Sequence, residues 1–297
     1  MRILLFGSSG QVGWELRRTL APLGHVVPVD RATADLADKD ALRRVVRTTE
    51  PALIVNAAAY TAVDRAESEP EVARAVNGVA PGILAEEARR RGAALVHFST
   101  DFVFDGKKAD PYTEDDAPAP LNVYGASKLE GEQAIQAVGG AYVILRTSWV
   151  YGMRGHNFLL TVCRLARERP TLRIVDDQTG APTWSRMIAE ATALVVAGAP
   201  QTSGAPAFGK ETNGLYHLSA GGATTWFGFA REILGAAAAL GLPTVPALDP
   251  IKTDEYPLPA RRPANCLLAN DKLRRTFGLA LPSWAESLRM CVEEGAR

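Results

Sequence analysis

Residues 1–16 read MRILLFGSSGQVGWEL, and this stretch decides the fold. An apolar run is followed by glycines at positions 7, 10 and 13 and then by a helical pattern. Glycines at this spacing let the chain turn tightly and bring backbone amides close to a pyrophosphate, which the dipole of the following helix attracts. The stretch therefore predicts a strand, a turn and a helix that open a dinucleotide-binding unit. A tight turn that binds no ligand is the alternative interpretation.

Strand and helix patterns alternate up to about residue 150. Continuously apolar runs predict strands at 3–7, 25–30, 53–59, 94–100 and 142–148, and helical patterns lie at 11–21, 38–49, 70–91 and 123–138. Strands buried on both faces have such runs, and β-helix-β repetition indicates a parallel sheet covered by helices. We therefore predict an α/β protein in which residues 1–150 form a Rossmann-type, doubly wound, dinucleotide-binding domain.

Residues 151–297 have a looser pattern and predict a smaller C-terminal substrate-binding lobe that returns in part to the sheet. Helices are expected at 157–168, 183–197, 225–240, 270–277 and 283–294, with strands at 172–175 and 214–219. The segment 199–214 is rich in Gly, Pro, Ser and Thr and predicts a flexible surface loop. The Pro-rich segment 249–265 predicts no regular structure.

The composition argues against several classes of protein. With 33 basic and 33 acidic side chains the formal net charge is zero, which gives no electrostatic reason to expect nucleic acid or a membrane surface as partner. The three cysteines form no C-x-x-C pair, which disfavours a disulfide scaffold and favours a reducing compartment. No apolar run approaches the roughly 18 residues of a membrane span or the length of a signal peptide. We therefore expect a cytoplasmic protein.

A tyrosine and a lysine stand four residues apart in NVYGASKLEGE, residues 122–132. Because a helical turn is about 3.6 residues, Tyr124 and Lys128 lie on one face and can approach the same ligand. The pKa of a tyrosine lies near 10, and a nearby cation favours the phenolate and lowers that pKa. The pair therefore predicts an acid–base device, and an incidental surface pair is the alternative.

Candidate contacts to an adenosine follow the second predicted strand. Asp30 can accept hydrogen bonds from a ribose, whereas Arg31 could contact a 2′-phosphate, so NAD and NADP both stay open. Asp35 and Leu36 predict an adenine contact or, equally well, the cap of the helix near residue 38.

Further candidates end the third and fourth strands, at the edge where open α/β sheets bind ligands. Small residues from position 57 onwards let the backbone approach a cofactor, and Ala59, Tyr60 and Thr61 would form that wall; close packing is the alternative. Thr100, beside Asp101, offers a hydroxyl that can donate to a substrate carbonyl, and a plain turn is the alternative.

Two arginines in the Pro-rich segment are candidates for the other end of a nucleotide. The guanidiniums of Arg261 and Arg262 suit bidentate phosphate binding, and the prolines would hold them on a loop over the cleft. A chain of zero net charge needs such local cations to bind a diphosphate. A solvated surface pair is the alternative.

The glycine-rich turn, the hydroxyl after the fourth strand and Tyr124-x-x-x-Lys128 together resemble the extended short-chain dehydrogenase/reductase family. Within it, the chain resembles the dTDP-4-dehydrorhamnose reductase family through ordered blocks: FGSSGQVGWEL, NAAAYTAVDRAESEP, STDFVFDG, LNVYGASKLEGE, RTSWVYG, DDQTGAPT, GLYHLSAGGATTW and ARRPANC. The resemblance implies reduction of the 4-keto group of dTDP-4-dehydro-β-L-rhamnose to dTDP-β-L-rhamnose, the last step of dTDP-rhamnose biosynthesis, with NADPH or NADH as cofactor.

The resemblance also implies roles for single residues. Tyr124 would give its proton to the ketone oxygen, Lys128 would bind the nicotinamide ribose and stabilise the phenolate, and Thr100 would hydrogen-bond the same oxygen. Trp149 would cover the sugar face, with plain core packing as the alternative. With the patterns above, the cofactor set is Gly7, Gly10, Gln11, Val12, Asp30, Arg31, Asp35, Leu36, Ala59, Tyr60, Thr61, Tyr124 and Lys128. The substrate set is Thr100, Asp101, Trp149, Arg261 and Arg262.

Three questions stay open at this point. Some members of the family are described as binding magnesium through acidic residues, and Glu15 and Glu190 are the matching candidates, but no local carboxylate cluster requires Mg²⁺ and we assign no metal ligand. A homodimer is a hypothesis that the sequence does not decide. The alternative functions are action on another nucleotide-linked 4-ketosugar and a non-catalytic regulatory subunit of the methionine adenosyltransferase type.

Overall fold

The computed structural model describes residues 1–202 and 204–295. Ser203, in the predicted loop 199–214, and the last two residues of the predicted lobe 151–297 lie outside this range. The strands are β1 (Arg2–Phe6), β2 (His25–Val29), β3 (Leu53–Asn56), β4 (Ala94–Thr100), β5 (Tyr142–Thr147), β6 (Val150–Tyr151), β7 (Thr171–Val175), β8 (Thr179–Gly180), β9 (Thr183–Trp184), β10 (Gln201–Thr202), β11 (Ala205–Pro206), β12 (Gly214–His217), β13 (Thr224–Thr225) and β14 (Ala247–Ile251). The helices are α1 (Gln11–Thr19), α2 (Lys39–Thr49), α3 (Val63–Ala66), α4 (Pro70–Arg74), α5 (Ala80–Arg91), α6 (Val123–Val138), α7 (Phe158–Glu168), α8 (Ser185–Gly198), α9 (Trp226–Gly235), α10 (Asp271–Phe277) and α11 (Trp284–Gly295).

The main sheet has six parallel strands in the order β12-β5-β4-β3-β1-β2. Strand β1 pairs with β2 on one side and with β3 on the other, so the strand order reverses at this point. In doubly wound sheets ligands bind in the crevice outside the carboxyl ends of the strands that flank such a reversal. The predicted α/β, Rossmann-type fold is confirmed, and it directs attention to the ends of β1 and β3.

Both faces of the sheet are buried, which explains the continuous apolar runs. Ile3 and Leu5 face the core beneath α1 and α8, whereas Leu4 and Phe6 face the core beneath α2 and α5. Successive side chains of a strand point to opposite faces, so one run serves both layers. Each such side chain stabilises the fold by about 1.5–3 kcal/mol through burial.

The second half adds β12 to the edge of the sheet beside β5 and builds a lobe with its own core. That core packs α7, α9 and α11 around side chains such as Leu159, Phe229 and Leu288. The boundary at residue 150 stays a prediction. Within the described residues, no helix combines the length and the apolar character that crossing a membrane requires.

Three local predictions are wrong. Strand β3 ends at Asn56 rather than 59, because the Asn56 side chain accepts a hydrogen bond from the Ala58 N–H and turns the chain out of the sheet. The Pro-rich segment starts within a strand, since β14 pairs in parallel with β7; Pro250 is tolerated in a strand with a single partner. The segment 199–214 is not a simple loop, because β10 pairs with β11 and Phe208 is buried in the main core.

Candidate active site

The turn after β1 leaves no room for side chains at two of its glycines. Gly7 has a φ of +74°, and a Cβ there would lie 2.6 Å from the Ala57 and Ala58 backbone. A Cβ on Gly13 would lie 2.0 Å from the Gly7 carbonyl oxygen. Gly10 begins α1 as its N-cap, and no side chain caps the helix. The first-turn amides are thus open to an anion, as a bound pyrophosphate requires.

Several residues predicted to contact the adenosine form hydrogen bonds or ion pairs with neighbouring side chains. The Asp30 carboxylate accepts from the Thr33 hydroxyl and N–H at 2.8 and 2.9 Å, and these bonds lower its pKa. Arg31 Nε lies 2.9 Å from Asp35 Oδ2. The alternative that Asp35 caps α2 is wrong, because Asp38 accepts from the first-turn amides.

The wall after β3 is held by an asparagine that the sequence analysis did not single out. Asn77 accepts from the Tyr60 N–H at 2.9 Å and donates to the Tyr60 carbonyl at 3.0 Å, which fixes that stretch of backbone beside Ala59 and Thr61. The Tyr60 hydroxyl donates to Glu69, which raises the pKa of Tyr60. Asn77 lies in a one-turn π-helix between α4 and α5, a local feature that apolar periodicity does not reveal.

A buried polar cluster follows β4. The hydroxyl of Thr100 donates to Asp101 Oδ1 at 2.8 Å, and that of Ser148 donates to Asp101 Oδ2 at 2.7 Å. Burial raises the pKa of Asp101 above its ordinary value. The carboxylate therefore holds Thr100 in place next to the cleft.

Tyr124 stands in the first turn of α6, which Asn122 caps by accepting from the Gly125 N–H at 2.8 Å. Its ring packs edge to face on Phe102, with centroids 5.8 Å apart. Burial raises the pKa of Tyr124 to about 12, the Thr100 hydroxyl lowers it and the Asp101 charge raises it. The phenol is therefore protonated at pH 7 and can act as an acid.

Lys128 is directed into the protein and is 2% exposed. Its ammonium donates to the Phe98 carbonyl at 2.6 Å. Burial lowers the pKa of Lys128 to about 8, and Glu132 acts in the opposite direction. The expectation that Lys128 lowers the pKa of Tyr124 is wrong for the ligand-free chain, where burial dominates.

A cavity of about 960 Å³ is lined mainly by residues of the lobe, together with Phe102 after β4 and Trp149 after β5. It reaches Phe102, the neighbour of Tyr124, and extends to both Arg261 and Arg262. Ligand cavities of drug-sized molecules fall in the range of about 300–1,000 Å³. The space therefore suits an extended ligand such as a nucleotide sugar.

Trp149 forms one wall of this cavity with a partner that the sequence analysis missed. Its ring stacks on Trp226 with centroids 3.5 Å apart, and a Cβ on Gly180 would collide with it. Trp149 has a φ of +45°, an uncommon conformation for a bulky residue. The signal for Trp226 was its place at the start of α9, but only the fold brings it to the cleft.

The two candidate arginines differ. Both guanidinium nitrogens of Arg262 bond the Asp64 carboxylate, at 3.0 and 2.8 Å, which lowers the pKa of Asp64. Arg261 is exposed at the cavity, and its carbonyl accepts from Asn122, the cap of the helix that carries Tyr124, at 2.7 Å. Arg262 thus ties the loop to α3, whereas Arg261 has its side chain at the cavity.

The residues suggested for magnesium do not fit a metal ion. Glu15 accepts from both Arg18 and Arg186, and Arg186 also pairs with Glu294. Burial raises the pKa of Glu190. The described chain contains no group of three or more His, Cys, Asp or Glu arranged around a metal position. The positive charge among these carboxylates is the guanidinium of Arg186.

Comparison with known proteins shows the family of the chain. The model of the RmlD substrate binding domain matches residues 1–297. A dTDP-4-dehydrorhamnose reductase of Burkholderia thailandensis is 50% identical over 99% of both chains. One of Escherichia coli K12 is 43% identical over 99% of this chain and 98% of its own.

Solved structures give the same result. A dTDP-4-dehydrorhamnose reductase of Bacillus anthracis, in complex with NADP, superposes with a TM-score of 0.89 at 34% identity and covers 99% of both chains. That of Clostridium acetobutylicum has a TM-score of 0.90 at 33% identity over the whole of both chains.

Proposed function

The chain belongs to the RmlD substrate-binding-domain family, and from that membership we propose that it reduces dTDP-4-dehydro-β-L-rhamnose to dTDP-β-L-rhamnose with NAD(P)H. The observation that supports the proposal is a protonated phenol, Tyr124, which packs on Phe102 at a cavity of nucleotide-sugar size, in a chain whose first βα turn leaves the start of α1 without a side-chain cap. Reduction of a ketone needs a hydride donor, which a bound reduced nicotinamide would supply, and a proton donor.

The proton chemistry belongs to three side chains. A bound reduced nicotinamide supplies the hydride for the ketone carbon. Tyr124 gives its proton to the ketone oxygen, which its raised pKa permits over the whole physiological range. The Thr100 hydroxyl, which donates to Asp101, would turn its one proton to the same oxygen when substrate binds, and the positive charge of Lys128 stabilises the phenolate that remains.

The cavity accounts for the rest of the substrate. Trp149, backed by Trp226, offers a flat apolar surface for the C–H bonds of the sugar. Arg261 is the cation that meets the diphosphate. Arg262 does not bind phosphate in this proposal. Its ion pair with Asp64 holds the loop that carries Arg261.

For the cofactor we favour NADPH over NADH. The Arg31 side chain is 86% exposed at the adenosine end, while the neighbouring Asp30 carboxylate is engaged by Thr33. A guanidinium is suited to a 2′-phosphate, and a free carboxylate to a ribose hydroxyl. Arg31→Ala should therefore reduce the preference for NADPH. The reaction is proposed to take place in the cytoplasm, and the homodimer stays a prediction.

The test is the loss of reduced-nicotinamide absorbance with NADPH, and then NADH, when dTDP-4-dehydro-β-L-rhamnose is generated in place by its epimerase. Oxidation that requires the sugar nucleotide and yields dTDP-rhamnose supports the proposal. Tight NADPH binding without oxidation would move the weight to another 4-ketosugar or to the regulatory function. Retention of Thr100, Tyr124 and Lys128 disfavours the regulatory function, because binding alone needs no acid.

A further inference from the structure

Two buried polar residues stand behind Lys128 and have no part in the reaction described so far. Asn56 ends β3, His97 lies opposite it on β4, and each is 1% exposed. Asn56 Nδ2 lies 3.1 Å from His97 Nδ1. On the other side of the ring, His97 Nε2 lies 3.4 Å from Lys128 Nζ. The three side chains form a continuous polar row within the buried interior.

One backbone N–H decides which groups donate and which accept hydrogen bonds along this row. The Ala58 N–H donates to Asn56 Oδ1 at 3.2 Å, and an N–H cannot accept a hydrogen bond. The amide oxygen of Asn56 must therefore face Ala58, and its NH₂ group must face the His97 ring. His97 Nδ1 is then an acceptor.

The tautomer of His97 follows in turn. Burial and the neighbouring Lys128 hold the pKa of His97 well below its usual range, so the ring is neutral and carries one proton. With Nδ1 accepting from Asn56, that proton sits on Nε2. The ring N–H therefore points toward Lys128.

This arrangement treats the two forms of Lys128 differently. An ammonium has no lone pair, so it meets the ring N–H as donor against donor, whereas a free amine can accept from it. Among the other groups around Lys128, Glu132 of α6 favours the ammonium but is itself bound at 2.8 and 2.6 Å by Arg146 of β5. The Phe98 carbonyl accepts from Nζ.

We infer that Asn56 and His97 are positioning residues, which fix the place of Lys128 Nζ and favour its amine form by presenting the Nε2 proton of His97 to it. The row begins at Ala58, whose backbone packs against Gly7, so it joins the cofactor turn to the lysine. Its use in catalysis rests on the proposed function. With its pKa lowered to about 8, Lys128 is still mostly an ammonium at pH 7, as the proposed function requires.

The first test is the tautomer, read by ¹⁵N-edited NMR of the histidine rings in ligand-free protein. The chain has four histidines, and His97→Gln identifies the signal in question. We expect a neutral ring with its proton on Nε2 between about pH 6 and 8. A proton on Nδ1, or a charged ring in this range, would overturn the inference.

The second test reverses the donors and acceptors of the row by moving the proton of His97 from Nε2 to Nδ1. In Asn56→Asp the carboxylate can only accept, so Nδ1 must carry the proton and Nε2 becomes an acceptor for the ammonium. The pKa of Lys128, followed by ¹³Cε NMR and identified with Lys128→Met, should rise by on the order of one unit. His97→Gln, whose amide oxygen can accept from the ammonium, should shift it the same way. His25→Gln, at an exposed histidine of β2, is the control and should leave it unchanged.

The new carboxylate in Asn56→Asp also raises the pKa of Lys128 by its charge, so an unchanged pKa in the charge-neutral variant His97→Gln would contradict the inference. In the working enzyme, the same variants should move the alkaline limb of kcat/KM upward, which a merely structural role would not do. If the NMR results hold while NADPH is not oxidised, the proposed function fails and the row stands. If NADPH is oxidised but His97 carries its proton on Nδ1, the inference about Asn56 and His97 fails and the proposed function stands.

Discussion

The two walls of the cleft are built in different ways. The cofactor wall, formed by the turn 7–13 and the segment 56–61, is mostly backbone, and its shape depends on contacts too close for a Cβ. The substrate wall, formed by Trp149, Trp226, Arg261 and Arg262, is made of side chains on separate segments that stack or form ion pairs.

The difference predicts how each wall fails. A wall of close-packed backbone has no room to adjust, so one added methyl group must disturb the fold. A wall of side chains can lose one group and keep its shape, so the loss of a group that does not tie two segments together should appear in substrate binding alone. Tyr124 packs on Phe102, which lines the cavity, and its loss should affect neither the fold nor the binding of either ligand.

The largest effect should come from the proton donor, Tyr124. In Tyr124→Phe the acid is lost while the ring can still pack on Phe102, so we expect kcat to fall by a factor on the order of 100 or more. NADPH affinity, measured by fluorescence titration, should stay near the wild-type value. Turnover close to wild type would remove Tyr124 from the mechanism.

The cofactor wall can be tested with a matched pair of glycine variants. Gly13→Ala places a Cβ 2.0 Å from the Gly7 oxygen and should lower the free energy of unfolding by roughly 1–3 kcal/mol. Gly10→Ala meets its nearest atom at 3.3 Å and should cost much less. Denaturant titration of both variants provides the comparison, and equal losses would mean that the turn is not the rigid element described.

The substrate wall should respond through binding. Arg261→Ala removes one of the arginines that line the cavity, so KM for the sugar nucleotide should rise about tenfold, the scale of one charge-assisted hydrogen bond, without a change in thermal stability. Arg262→Ala is the matched variant; it leaves Asp64 unpaired, and thermal stability should fall. If Arg261→Ala lowered thermal stability and Arg262→Ala raised KM, Arg262 would be the phosphate ligand and Arg261 the structural residue.

The smallest effect concerns the carboxylates around Arg186, away from both walls. Arg186→Gln leaves Glu15 and Glu294 without their shared partner, and the melting temperature should fall by a few degrees, the scale of about 1 kcal/mol for a protein of this size. Chelation of divalent metals should leave the wild-type melting temperature unchanged. A large loss on chelation would show that a metal, not Arg186, balances these carboxylates.

The same difference between the walls explains what the sequence could predict. Strand β4 and helix α6 begin and end at the predicted residues, because apolar periodicity and the Asn122 cap are local signals. The glycine turn was equally accessible, since its spacing is fixed by its own geometry.

Other parts of the site could not be predicted, because they depend on segments far apart in the chain. The stacking of Trp149 on Trp226 joins positions 77 residues apart, and the Arg262–Asp64 pair joins positions 198 apart. The upward shift in the pKa of Tyr124 was missed for a related reason. Sequence spacing places Lys128 on the same helix face, but burial, which only the fold determines, dominates.

The most direct test of the account follows the hydride itself. NADPH deuterated at the transferable position of nicotinamide carbon 4 would be incubated with the protein and dTDP-4-dehydro-β-L-rhamnose, and the product examined by NMR. If the two walls bring nicotinamide and ketone together beside Tyr124, deuterium appears at carbon 4 of the rhamnosyl group in the wild type and is reduced on the order of 100-fold in rate in Tyr124→Phe. A dTDP-rhamnose product without deuterium at that carbon, or no product from the wild type, would contradict the account.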